Sequence, residues 1–327
     1  MRKRAVLLEV RNLSAHLMAG HGIVKAVDNI SYDLDEGETL GIVGESGCGK
    51  TVSALSLLRL IPSPPLVVSS GRVLFQGQDL LELGDEELCS IRGNTMAMIF
   101  QEPMTSLNPV LSVGYQVMEP LMIHRGVSRT EAMRECIGLL KMARIPDAAA
   151  RVHAYPHQFS GGMRQRVVIA MGLSCNPRLI IADEPTTALD VTIQAELLDL
   201  MKQLTLDHGT ALILITHNLG VVARYADRVM VMYAGRVVEQ ARTLDLYRTP
   251  AHPYTRGLLE SVPRLDQDLR QRLKPIEGQP PDLARLPGGC AFHPRCPLAM
   301  ERCRNETPQL APVGDAHEAA CWLGGAA

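Results

Sequence analysis

The segment Gly44-Glu45-Ser46-Gly47-Cys48-Gly49-Lys50-Thr51 constrains this chain more than any other. It follows the apolar stretch Leu40 to Val43 and precedes a helical pattern of Ala54, Leu55, Leu57, Leu58 and Leu60 that Pro62 stops. Glycines at this spacing let a backbone wrap a phosphate with its N–H groups pointing inward, and a helix start adds its dipole. The pattern predicts a nucleoside triphosphate site in which Lys50 reaches the β- and γ-phosphates and Thr51 ligates Mg²⁺. Strand, loop and helix in the required order argue against an ordinary glycine turn. The motif implies a ligand but not a purpose.

A second element matches it. Leu179-Ile180-Ile181-Ala182-Asp183-Glu184 is an apolar strand ending in two acids. A carboxylate at such a strand end can hold Mg²⁺, which suits Asp183, and the next acid, Glu184, can activate an attacking water as general base. By itself the pair also fits a plain strand exit with solvated acids. Ser160-Gly161-Gly162-Met163-Arg164-Gln165 reads as a helix start whose hydroxyl and glycine N–H groups make another anion site.

Composition excludes several classes. The 327 residues carry 33 basic and 35 acidic side chains, net −2, and only 4% are aromatic. That leaves no basic excess for nucleic acid and no base-stacking platform. No apolar run approaches the roughly 20 residues of a membrane helix, and Met1-Arg2-Lys3-Arg4 leads into too short a segment for a signal peptide. A cytoplasmic protein is expected, with any membrane contact made through a partner.

Along the chain, residues 6–43 read as short strands, Val73-Leu74-Phe75 with Gly77-Gln78 as a strand and turn, and about 103–165 as mostly helical. Leu179 to Ala182 and Ala211 to Ile215 read as buried parallel strands, and Arg228 to Tyr233 with Arg236 to Glu239 as a hairpin about Ala234-Gly235. Past residue 240 proline becomes frequent and periodicity fades, so a domain boundary is placed there.

In this order the motifs resemble the ATPase subunits of ABC transporters. Ser160-Gly161-Gly162 resembles the family signature, Gln101 in Ile99-Phe100-Gln101-Glu102-Pro103 its Q-loop, Ala188-Leu189-Asp190 its D-loop, and Thr216-His217 its switch histidine. In detail the chain is similar to the peptide-importer group, whose members handle dipeptides, oligopeptides, glutathione or nickel. The matching stretches are Gln101 through Pro109, Tyr155-Pro156-His157-Gln158, Ala182 through Asp190, His252-Pro253-Tyr254-Thr255 and Cys290 through Cys303. Two departures stand out. The signature begins Phe159 and ends Met163 in place of the general Leu and Gln, and Ser14-Ala15-His16-Leu17 offers only His16 and Leu17 where the family has an adenine-stacking aromatic.

The resemblance implies an α/β fold: a RecA-like core over 1–240 with an antiparallel β subdomain and a helical subdomain near 103–165, then an irregular extension over 241–327. It implies ATP and Mg²⁺, the metal held by Thr51, Asp183 and Gln101, and catalysis by Glu184, His217 and Gln101. Nucleotide contacts would come from Gly44 through Thr51 and from Ser160, Gly161, Gly162 and Asp190 across a dimer. Implied partners are a second, related ATPase subunit, two permease subunits and an extracytoplasmic binding protein. The location would be the cytoplasmic side of the cell membrane. An ABC-type DNA-repair ATPase fits less well, because the segment from Gln101 to Ser160 is short and lacks heptads, and a ribosomal ABC protein would carry two cassettes.

Two expectations concern cysteine. Cys48 stands where the family has a small Ser or Ala, which a space-filling role would explain; at a helix start beside a lysine it is also expected to have a lowered pKa and to be reactive. Cys290, Cys296, Cys303 and Cys321 lack the paired spacing that zinc favours, and the subgroup's dipeptide members suggest a 4Fe–4S cluster, with zinc or free thiols as alternatives.

Overall fold

The computed structural model describes residues 5–19, 22–101, 106–186, 190–261 and 275–324. In chain order the strands are β1 (Val6–Ala19), β2 (Gly22–Asp35), β3 (Thr39–Val43), β4 (Leu66–Phe75), β5 (Gln78–Asp79), β6 (Met96–Ile99), β7 (Leu179–Asp183), β8 (Ala211–Thr216), β9 (Arg228–Tyr233), β10 (Arg236–Arg242), β11 (Ala311–Gly314) and β12 (His317–Ala319). The chain divides into two compact units. One comprises Met1–Ala5, Asp35–Glu38 and Glu82–Leu214, and the other Val6–Leu34, Thr39–Leu81 and Ile215–Ala327.

The unit holding residues 82–214 is largely helical. Its strands β6 and β7 run parallel, Met96 opposite Leu179 and Ile99 opposite Ala182. Every residue of β7 and of β8 is buried, which is why both read as unbroken apolar runs rather than alternating ones. Helices Val113–Arg125 and Arg129–Met142 start at Ser112 and Ser128, whose hydroxyls accept the Tyr115 and Glu131 backbone N–H at 3.3 Å. Gly126, with φ 63°, ends the first of them. The helix Gly161–Leu173 and the long helix Val191–His208 complete this unit.

The other unit carries two sheets. The first, ordered β2-β1-β4-β5, is antiparallel at its β1–β4 and β4–β5 pairs. Residues 6–43 are thus not a series of short strands. β1 and β2 each run for 14 residues, and Ile30, Tyr32 and Leu34 alternate with exposed Asn29 and Ser31 as a half-buried sheet requires. The second has the order β11-β12-β10-β9-β3, with β3 parallel to β9 and the remaining pairs antiparallel. The hairpin β9–β10 turns at Ala234 and Gly235, with φ 50° and 80°, the positive-φ pair that a two-residue hairpin loop demands.

Residue 240 lies within β10, and the segment beyond it is more ordered than its composition suggests. It forms helices Thr243–Arg248 and Pro253–Glu260, then the β11–β12 hairpin, which adds to the sheet where Glu239 pairs with Ala319. Tyr254 and Leu246 (both 0% exposed) and Phe292 (2%) join Val231, Tyr233 and Val238 in one apolar cluster. That cluster, rather than a cross-link, orders the C-terminal region.

Candidate functional site

The phosphate loop belongs to the unit that holds β3. β3 delivers the chain to Gly44, and the helix Lys50–Leu57 leaves from Gly49. Gly44 and Gly49 have φ 157° and 102°, and a Cβ on either would strike backbone oxygen, that of Met232 at 2.3 Å or of Ala26 at 2.2 Å. The loop therefore needs glycine at both ends for space as well as for conformation. Gly235 at the β9–β10 turn donates its N–H to the Cys48 carbonyl at 2.9 Å and so supports the loop from below. Lys50 is 5% exposed, and its Nζ donates to the carbonyls of Gly44 (2.8 Å) and Glu45 (3.1 Å), closing the loop on itself. Ser46, Gly47 and Thr51 face solvent.

Cys48 departs from expectation. It is 5% exposed, and burial pushes its thiol above the usual range despite Lys50 Nζ at 3.9 Å. Desolvation of the thiolate outweighs the attraction of the ammonium, so this is a filler beneath the loop and not a reactive thiol. A Cβ on Gly44 would come within 2.7 Å of its sulfur, a measure of how tightly it fills that space.

His217 follows β8 in an exposed turn. There Thr216 Oγ1 accepts the Asn218 N–H at 3.0 Å, and Asn218 caps the helix Leu219–Tyr225. His16 lies in β1, half-buried, with Nε2 shielded and without a hydrogen-bond partner.

The remaining expected residues lie in the other unit. β7 ends at Asp183, which is 3% exposed, and Glu184 follows with φ 44°, a left-handed conformation that a non-glycine residue adopts at some strain. Gln101 Nε2 donates to Glu184 Oε2 at 3.4 Å, so the structure brings the Q-loop glutamine to the acid proposed as base. Ser160 is the N-cap of helix Gly161–Leu173. Its hydroxyl accepts the Met163 N–H at 3.4 Å, and Ser160 and Gly161 stand exposed at the helix start. Asp190 caps Val191–His208 in the same way, accepting the Ile193 N–H at 2.9 Å. Glu102 through Thr105 of the Q-loop stretch and Thr187, Ala188 and Leu189 of the D-loop stretch lie outside the described residues.

The metal expectation at the C-terminus is corrected. Among the described residues no group of three or more His, Cys, Asp or Glu side chains is placed to hold a metal ion. Cys290, Cys296, Cys303 and Cys321 do line one small cavity with Phe292 and Trp322, but its volume is about 20 Å³. That is room for about one water molecule. Burial pushes the thiols of Cys290, Cys296 and Cys321 above the usual range. Neither a cluster nor zinc is retained.

Sequence reasoning missed Arg295 and Tyr254 as neighbours of the phosphate loop. Arg295 Nη1 and Nη2 donate to the Glu45 carboxylate at 2.7 and 3.0 Å, and the Tyr254 hydroxyl accepts the Glu45 N–H at 2.9 Å. Tyr254 lies in a stretch matched to the peptide-importer group, but nothing in its spacing points to residue 45. Glu239, fully buried, is a second anchor missed. Its carboxylate accepts the backbone N–H groups of Ala251 and His252 at 2.7 and 2.9 Å and lies 2.7 Å from His317 Nε2.

Comparison with known proteins agrees with this geometry. Residues 27–187 match the ABC transporter family, and residues 238–303 match the oligopeptide/dipeptide transporter C-terminal region. The "Dipeptide transport ATP-binding protein DppD" of Bacillus subtilis is 50% identical over 317 residues, 97% of this chain and 94% of that protein. The "Oligopeptide transport ATP-binding protein OppD" of Salmonella typhimurium is 50% identical over 303 residues, 93% of this chain and 90% of that protein. Among solved structures, the dimeric bacterial ABC transporter cassette MJ0796 superposes with a TM-score of 0.65 at 30% identity, covering 72% of this chain and 98% of that one. A post-hydrolysis state of the same cassette, bound to ADP and Pi, gives 0.65 at 29%, with the same coverage. A glycine loop whose lysine closes it, a strand-end acid pair with its glutamine, and end-to-end similarity at this level together place the chain in the ABC transporter ATP-binding family, with the C-terminal region of its oligopeptide/dipeptide branch.

Proposed function

We propose that this chain binds MgATP and hydrolyses it to power the import of peptides through an ABC transporter. The observation that carries the reading is the phosphate loop, whose two end glycines admit no Cβ and whose lysine already lies along the loop carbonyls. Its exposed middle and the start of the helix Lys50–Leu57 suit a polyphosphate. The donors Thr51 Oγ1, the Asp183 carboxylate and the Gln101 amide are hard oxygen ligands of the kind Mg²⁺ takes. When bound, the metal would neutralise charge on the phosphoryl oxygens. Glu184 would accept the proton of the attacking water, with Gln101 orienting its carboxylate. His217, exposed at the end of β8, would hydrogen-bond the terminal phosphate.

Ser160, Gly161, Gly162 and Asp190 would serve the nucleotide of a second ATPase subunit, in keeping with the dimeric form of the cassette MJ0796. Two membrane permease subunits would receive the motion through the helical segment near 103–165, and an extracytoplasmic binding protein would deliver cargo. No helix among the described residues is long and apolar enough to cross a membrane, so the chain would sit on the cytoplasmic face through those permeases. The division into an ATPase domain (1–240) and a C-terminal extension (241–327) belongs to the same proposal. Peptide cargo is supported by the relatives named for dipeptide and oligopeptide transport and by the C-terminal match.

The test is uptake of labelled di- and oligopeptides into vesicles carrying the whole assembly. ATP-dependent peptide uptake, lost with Lys50→Ala, supports the proposal. Uptake of nickel or glutathione in its place would reassign the cargo, and ATP-independent uptake would refute the coupling.

A further inference from the structure

Glu45, the second residue of the phosphate loop, is held at three points by three side chains. Its carboxylate takes a two-pronged ion pair from Arg295, Nη1 to Oε2 at 2.7 Å and Nη2 to Oε1 at 3.0 Å. Its N–H is donated to the Tyr254 hydroxyl at 2.9 Å, and its carbonyl accepts from Lys50 Nζ at 3.1 Å. Two of the three anchors come from the C-terminal region of the same compact unit, 209 and 250 residues away in sequence.

Both anchors are themselves fixed. The Arg295 side chain is only 5% exposed, its Nε donates to the Glu277 carbonyl at 3.0 Å, and its guanidinium lies 5.9 Å from the Tyr233 ring centre and 6.0 Å from that of Phe292. Tyr254 packs against Tyr233 (4.6 Å between ring centres) and Phe292 (5.4 Å). Aromatic pairs and forked ion pairs of this kind have narrow geometric preferences, so the cluster holds one arrangement. The loop does not share that rigidity by itself. Gly44, Gly47 and Gly49 have few conformational restraints of their own, so a loop ordered before the anion arrives spares the cost of ordering it on binding.

We propose that Arg295 and Tyr254 are positioning residues for the phosphate loop: through Glu45 they hold the Gly44–Lys50 backbone in the conformation that receives a polyphosphate. The C-terminal region then contributes to nucleotide affinity without touching the nucleotide. This rests on the reading of the loop as the ATP site.

The test uses the full chain and measures MgATP affinity, the separate values of KM and kcat, and thermal stability. The variants are Arg295→Met, Glu45→Gln, the two combined, Tyr254→Phe and, as a control, His317→Asn. His317 hydrogen-bonds buried Glu239 and not Glu45, so its loss is expected to loosen the C-terminal region while Arg295 and Tyr254 keep their bonds to Glu45. Arg295→Met and Glu45→Gln are each expected to weaken nucleotide binding about ten-fold, and the double variant no more than either single one. In Arg295→Met, KM should rise while kcat stays near wild type, because the proton-transfer groups are untouched. Tyr254→Phe removes one hydroxyl and is expected to weaken binding about three-fold. His317→Asn should lower the melting temperature and leave affinity unchanged. Unchanged affinity in Arg295→Met, additive loss in the double variant, or equal loss in His317→Asn would each overturn the proposal. Should Arg295→Met fail to fold, wild-type affinity in Tyr254→Phe overturns it equally. Failure of the underlying ATP-site reading would look different: wild-type protein would not bind MgATP, or Lys50→Ala would bind it normally.

Discussion

Replacing Gly49 by alanine separates the two demands the loop places on that position. The added Cβ would lie 2.2 Å from the Ala26 carbonyl oxygen, and the residue would be held at φ 102°. The conformation costs about 1–3 kcal/mol. Forcing a methyl into a packed backbone costs about 1–3 kcal/mol more. Reduced freedom of the unfolded chain returns about 0.4–1 kcal/mol. The net loss is then about 3 kcal/mol. Gly47 supplies the internal control, since its φ is 78° but its Cβ would meet nothing within 4 Å. Gly47→Ala carries only the conformational cost less the same offset, about 1 kcal/mol. The assay is denaturant unfolding without nucleotide, followed by the fluorescence of Trp322, the single tryptophan, which belongs to the same unit as the loop. Equal destabilisation by the two substitutions would show that the contact between Gly49 and Ala26 is not what fixes glycine there.

Further expectations follow from burial. Cys48 should resist alkylation at pH 7, and its labelling rate should climb only above the ordinary thiol range; fast labelling at neutral pH, read by mass spectrometry, would mean the loop leaves it open. His252 is buried, and its pKa is pushed down to about 4. The unfolded chain therefore binds its proton first, so stability is complete above about pH 6.5 and declines as pH falls toward 4, by up to about 3 kcal/mol. His252→Gln should flatten the stability profile in that window, and an unchanged profile would refute the assignment.

The local parts of the site were legible in the sequence because each is written in adjacent residues. The phosphate loop needed only the order of strand, glycines and helix, and β7 only an apolar run ending in Asp183-Glu184. The β9–β10 hairpin was legible from Ala234-Gly235. What resisted reading depends on distance in the chain or on packing. Nothing near Glu45 signals that Tyr254 and Arg295 will hold it. The lysine beside Cys48 argued for a thiolate, but the space beneath Gly44 buries the sulfur and desolvation wins. The C-terminal cysteines do line one cavity, yet spacing cannot tell that, among the described residues, no three of them are placed as a metal-holding group. The order of that segment comes instead from Phe292, Tyr254 and a β-hairpin whose short strands, Ala311–Gly314 and His317–Ala319, carry little periodicity.

In the proposed mechanism this chain turns ATP hydrolysis into work, with Glu184 as the base. The most direct measurement is MgATP binding and steady-state phosphate release by the assembled transporter, wild type against Glu184→Gln. Glu184→Gln is expected to keep MgATP affinity, because Lys50, Thr51 and Asp183 are intact, while phosphate release falls about 10²- to 10⁴-fold. Near-normal phosphate release from Glu184→Gln, or loss of MgATP binding along with turnover, would contradict it.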